Sequence, residues 1–89
     1  MQFVHLVVRG RVQGVGFRYF VARQAESLGV SGEVRNRADG GVEIHAQGDE
    51  AVLRDLLEAV RIGPPAARVS NIEEQWSDGS PRYTRFEIT

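Results

Sequence analysis

The chain has 89 residues, a formal net charge of −1, eleven arginines, and neither lysine nor cysteine. That inventory excludes disulfides, thiolate metal sites, cysteine nucleophiles and lysine Schiff-base chemistry. A net charge so close to zero also gives no general attraction for nucleic acid or acidic membranes, so any affinity for anions has to be local.

Residues Phe3 to Arg9 alternate with period two, which puts Val4, Leu6 and Val8 on one side and His5, Val7 and Arg9 on the other. This predicts a strand with an apolar face. Gly10, Gly14 and Gly16 then break regular structure. From Phe17 the period becomes 3.6: Phe17, Phe20, Val21, Ala25 and Leu28 share a stripe, and Gly29 supplies the stop.

Val30 to Arg37 alternates again, with Asn36 on the parity of Val30, Gly32 and Val34. Asp39, Gly40 and Gly41 signal a hairpin. The third strand, Val42 to Gln47, is expected to turn Val42, Ile44 and Ala46 inward and Glu43, His45 and Gln47 outward. Asp49 is placed to cap a second helix whose buried stripe is Val52, Leu53, Leu56, Leu57 and Val60, ended by Gly63, Pro64 and Pro65. Val69 to Trp76 reads as a fourth strand, Ser77 to Pro81 as a polar turn, and Tyr83 to Ile88 as a short last strand.

The order is βαββαβ with one extra terminal strand. Two helices on one face of a mainly antiparallel sheet make an α+β, ferredoxin-like two-layer sandwich, a single domain over residues 1–89. The longest early apolar run, Leu6 to Val8, falls far short of the roughly 20 residues a membrane span needs. The expectation is a cytoplasmic monomer without membrane or nucleic-acid partners.

In this topology strands one and two run parallel with strand three between them, so their carboxyl ends share one edge of the sheet. The Gly10 to Arg18 loop leaves the first strand there, and Asn36 ends the second. A glycine-rich turn into a helix aims several backbone N–H groups at one point, and a guanidinium is a planar donor suited to phosphate oxygens. The loop lacks the Lys-Ser/Thr ending of a nucleotide-binding P-loop and the third glycine of a dinucleotide fingerprint. It reads as a cradle for one phosphoryl group, with Arg18 as the charged donor.

Cysteine phosphatases also wrap an anion with a loop ending in arginine, but the position six residues before Arg18 is Val12. With no cysteine or lysine available, and His5 and His45 on separate strands without a ligand pattern around them, the nucleophile reads as water. Asn36 both donates and accepts hydrogen bonds, so it orients water without titrating. No acidic cluster suggests a metal site, and no acid stands ready to protonate an alkoxide. An acyl phosphate avoids that need because its leaving group is a carboxylate, whose conjugate acid has a pKa of about 4–5.

These residues resemble the acylphosphatase family. Val8 to Arg18 matches the family's first signature throughout, and Gly32 to Gly48 matches its second except at Glu33, where the family usually has an aromatic. The resemblance implies metal-independent hydrolysis of a small-molecule acyl phosphate to carboxylate and inorganic phosphate, with no cofactor. It places the phosphate-binding arginine on Arg18, the water-orienting asparagine on Asn36, and the cradle on Gln13, Gly14, Val15, Gly16, Phe17 and Arg18.

Two other functions fit parts of the pattern. One is a non-catalytic phosphate- or carbamoyl-phosphate-binding domain, since acylphosphatase-like domains also occur within larger maturation proteins. The other is an RNA-binding module of the same strand order, but such modules stack bases on aromatics of the third strand. Here Val42 to Gln47 has none.

Overall fold

The computed structural model describes all of residues 1–89, and the elements follow the expected order: β1 (Gln2–Arg11), α1 (Phe17–Leu28), β2 (Ser31–Asn36), β3 (Val42–Gly48), α2 (Glu50–Ile62), β4 (Arg68–Asp78) and β5 (Phe86–Ile88). The five strands form one sheet in the order β4-β1-β3-β2-β5. β3 lies antiparallel to both β1 and β2, which makes those two parallel, and β5 adds to the outer edge of β2 in parallel. This is the ferredoxin-like arrangement with an added edge strand.

The helices and one sheet face enclose the core. Val4, Leu6 and Val8 of β1, Val34 of β2, and Val42, Ile44 and Ala46 of β3 meet Phe17, Val21 and Ala25 of α1 and Leu53, Leu56, Leu57 and Val60 of α2. Both helical stripes therefore fall where the 3.6 period put them. Fully burying one such leucine is worth about 1.5–3 kcal/mol relative to leaving it exposed. α1 ends with Gly29 in the left-handed region (φ 71°), whose N–H donates to the Ala25 and Glu26 carbonyls.

Several local expectations are corrected. Gly10 does not open the loop: β1 runs on to Arg11 through a bulge between Arg9 and Gly10 against β4. Gly10 has φ 126°, and a Cβ there would stand 2.1 Å from the Arg68 carbonyl oxygen, so close strand pairing rather than a turn requires the glycine. Asp49 occupies the N-cap position of α2, but its side chain makes no capping hydrogen bond.

Two of the three outward residues of β3 are shielded from solvent. Glu43 and Gln47 are both 5% exposed. Gln47 is buried because the segment after β4 folds over it: its Oε1 accepts from the Arg82 and Tyr83 N–H groups, and its Nε2 donates to the Tyr83 carbonyl. Those bonds hold residues 82–83 off the sheet, so the last strand begins only at Phe86, while β4 absorbs Ser77 and Asp78 from the expected turn.

Candidate active site

The register of the central strands sets the site. Val42 of β3 faces Val8 of β1 on one side and Asn36 of β2 on the other. β1 continues three residues beyond Val8, so the loop that follows emerges just past the level of Asn36.

That loop is anchored by its apolar residues and presents its glycines. Val12 is 1% exposed and Val15 packs against the core, whereas Gly14 and Gly16 face solvent. Gly16 is the N-cap of α1 in the left-handed region (φ 77°), with no side-chain cap and no acidic residue in the first turn. The first N–H groups of a helix lack intrahelical acceptors and carry the positive end of its dipole, so an uncapped start attracts an anion.

The chain turning through this geometry closes a cavity of about 270 Å³ walled by Val12, Gly14, Gly16, Phe17, Arg18, Tyr19, Asn36 and Ile88. Arg18 and Asn36, eighteen residues apart in sequence, share it. Arg9, Arg35, Arg37, Arg54, Arg61 and Arg85 are each engaged by a carboxylate, and Arg18 is not. Its guanidinium is thus available to an incoming anion. The cavity wall carries no carboxylate, imidazole or thiol.

Of the residues expected in the cradle, Gln13 and Val15 do not line this cavity. The Gln13 side chain faces the other way, with Nε2 donating to the carbonyls of Arg37 (2.7 Å) and Gly41 (2.9 Å). It ties the loop to the β2–β3 turn that follows Asn36. The turn is braced from β1 as well: Arg9 Nη1 lies 2.8 Å from Asp39 Oδ2, and the Gly41 N–H donates to Asp39 Oδ1 at 3.0 Å. These two bonds, led by that from Arg9 and aided by Arg37, hold the Asp39 carboxyl below its ordinary pKa.

Sequence reasoning passed over three wall residues. Tyr19, 72% exposed, stands beside Arg18 in the first helical turn, and the available signal was an aromatic next to Arg18 but off the apolar stripe of α1. Val12, noted in the sequence only for the absence of a cysteine nucleophile there, is buried loop packing at the wall, and Ile88 enters because β5 pairs with β2, opposite Val34. Together they put apolar surface next to Arg18 and the uncapped start of α1.

Comparisons with known proteins agree with this geometry. The acylphosphatase family model matches residues 4–88. An acylphosphatase of Thermotoga maritima is 52% identical over 86 residues, covering 94% of this chain and 96% of its own. One from Caldanaerobacter subterraneus subsp. tengcongensis is 45% identical over 85 residues, covering 96% and 94%. The crystal structure of acylphosphatase from Bacillus subtilis superposes with a TM-score of 0.97 at 44% identity, covering 100% of this chain and 99% of that one. With matches spanning nearly the whole of each chain, the protein belongs to the acylphosphatase family, and its activity is the hydrolysis of acyl phosphates.

Proposed function

We propose that hydrolysis proceeds by direct attack of water on phosphorus, with Arg18 and the cradle amides holding the phosphoryl group and Asn36 orienting the water. The observation that carries this reading is the convergence of Arg18, Asn36 and the uncapped start of α1 on one cavity. The Arg18 guanidinium and the N–H groups from Gly14 to Arg18 bind the phosphoryl oxygens and take up the negative charge that grows on them. The Asn36 carboxamide donates to a phosphoryl oxygen and accepts from the water.

As the water oxygen bonds to phosphorus, the bond from phosphorus to the acyl oxygen breaks and its electron pair leaves with the carboxylate. The water proton passes to a phosphoryl oxygen or to a second water, giving inorganic phosphate. A carboxylate leaves unprotonated, which is why a cavity without a general acid suffices. With no carboxylate, imidazole or thiol in the wall to ligate a cation, the reading is metal-independent.

The test is turnover of benzoyl phosphate in the presence of EDTA. Wild type is expected to be active; a folded sample with no rate above background overturns the reading. Arg18→Ala should lose about 3–4 kcal/mol of transition-state stabilisation, roughly 10²- to 10³-fold in kcat/KM. Asn36→Ala should lose turnover while still binding inorganic phosphate, and unchanged turnover would remove Asn36 from the mechanism.

A further inference from the structure

The sheet face away from the helices holds a second cluster of chemically capable side chains. His5 of β1 stands directly across from His45 of β3 in the antiparallel register, and their rings stack 4.3 Å apart and 9° from parallel. The sequence offered no ligand pattern around either histidine, but strand pairing brings them together and adds Glu43, two residues before His45 on the same side of β3. Glu43 Oε2 lies 2.6 Å from His5 Nε2 and 3.6 Å from His45 Nε2, so the same nitrogen of each imidazole lies near one carboxylate oxygen. One donor atom from each residue falls within 4.8 Å of the others.

The groups around this cluster fix its orientation. The Glu43 side chain is 6% exposed, and its other oxygen, Oε1, accepts from Arg35 Nε at 2.8 Å. On the neighbouring strand Gln75 pairs with His5 in register, and its Oε1 lies 3.5 Å from His5 Nδ1. Nε2, which donates to the Glu43 carboxylate, is the atom a metal ion would take in place of its proton, while the Gln75 carbonyl can accept from Nδ1, the arrangement that outer partners impose on metal-binding histidines.

We propose that His5 Nε2, His45 Nε2 and Glu43 Oε2 bind one borderline divalent transition-metal ion, of which Zn²⁺ is the representative. Two imidazoles and a single carboxylate suit Zn²⁺, Ni²⁺ or Cu²⁺, whereas Mg²⁺ and Ca²⁺ demand oxygen ligands. Zinc–ligand bonds of about 2.0–2.1 Å set tetrahedral donors roughly 3.3 Å apart. The 2.6 and 3.6 Å separations straddle that value, but a metal lies in the plane of each imidazole it binds, so the two stacked rings, on side chains 31% and 37% exposed, must rotate out of parallel to meet one ion.

The ion replaces the hydrogen bond between His5 and Glu43. It also displaces Arg37, whose Nη1 stands 3.4 Å from Glu43 Oε2. The remaining coordination position opens into a cavity of about 440 Å³ bordered by His5, His45, Gln75, Arg82 and Tyr83, where water completes the shell. This cavity shares no wall residue with the one that holds Arg18 and Asn36.

The experiment uses tag-free full-length protein, stripped with a chelator and dialysed. Calorimetric titration with ZnCl₂ should saturate at one ion per chain, and Zn²⁺ but not Mg²⁺ should raise the melting temperature. Because the chain has only two histidines, their ring ¹⁵N resonances report the ligands directly, and both Nε2 signals should shift on adding Zn²⁺. A His5→Gln, His45→Gln double variant, whose fold is checked by circular dichroism and benzoyl phosphate turnover, should bind at least tenfold more weakly. Absence of saturable binding, unmoved histidine signals, or undiminished affinity in the folded double variant would each overturn the proposal.

Discussion

Replacing Gln13 by alanine separates a residue that holds the cradle in place from one that touches substrate. Its Nε2 donates to two carbonyls, of Arg37 at 2.7 Å and Gly41 at 2.9 Å. An intramolecular hydrogen bond contributes about 0.5–1.5 kcal/mol net, so losing the pair should cost about 1–3 kcal/mol. In a domain of this size 1 kcal/mol moves Tm by about 4–8 °C, so the variant should melt about 5–20 °C below wild type.

Urea unfolding followed by circular dichroism measures the loss, at an unchanged m-value if only native stability has altered. Gln13→Glu should be at least as damaging, because it sets a carboxylate against two carbonyl oxygens. Benzoyl phosphate turnover at 25 °C should fall less than in Arg18→Ala, since the cradle's own amides remain. An unchanged urea midpoint would refute the tether. So would full stability combined with a loss of kcat/KM as large as that of Arg18→Ala, which would mean that the side chain contacts substrate.

Gly10→Ala should cost about 3 kcal/mol or more by equilibrium unfolding, because the new Cβ meets the backbone of β4 at 2.1 Å in a left-handed conformation. Gly16→Ala, with φ 77° but nothing within 4 Å of the added atom, should cost only about 1–2 kcal/mol; equal losses would contradict the close-approach argument. Leu56→Ala should destabilise by about 2–5 kcal/mol with kcat/KM unchanged well below the melting temperature. Asp39 titrates below its ordinary 3.8 in the folded state, so its contribution to stability is present above that pH and fades as pH falls toward the lowered value. The stability gap between wild type and Asp39→Asn should therefore be flat from pH 5 to 8 and narrow below pH 3.8.

Much of the site was legible because it is local in sequence. Gly14, Gly16 and Arg18 sit within one short turn into a helix, where free backbone N–H groups and the helix dipole favour an anion whatever surrounds them. The pairing of that turn with Asn36 was also within reach, because parity and the βαββαβ order put the ends of β1 and β2 at one edge. What failed were statements about faces. Period-two alternation labels the two sides of β3 but does not say what covers the second one, and there Arg35 and His5 meet Glu43 while residues 82–83 fold over Gln47.

The sequence by itself determined the elements, the core stripes and the glycine turn into α1, since each follows from the spacing of apolar residues and glycines along a few turns of chain. Only the tertiary structure decided the direction of the Gln13 side chain, the entry of Ile88 and Tyr19 into the cavity wall, and the meeting of His5, Glu43 and His45. Those depend largely on strand register and on partners distant in sequence, 24 and 28 residues away for Gln13 and 38 for His5 and Glu43, which no local pattern encodes.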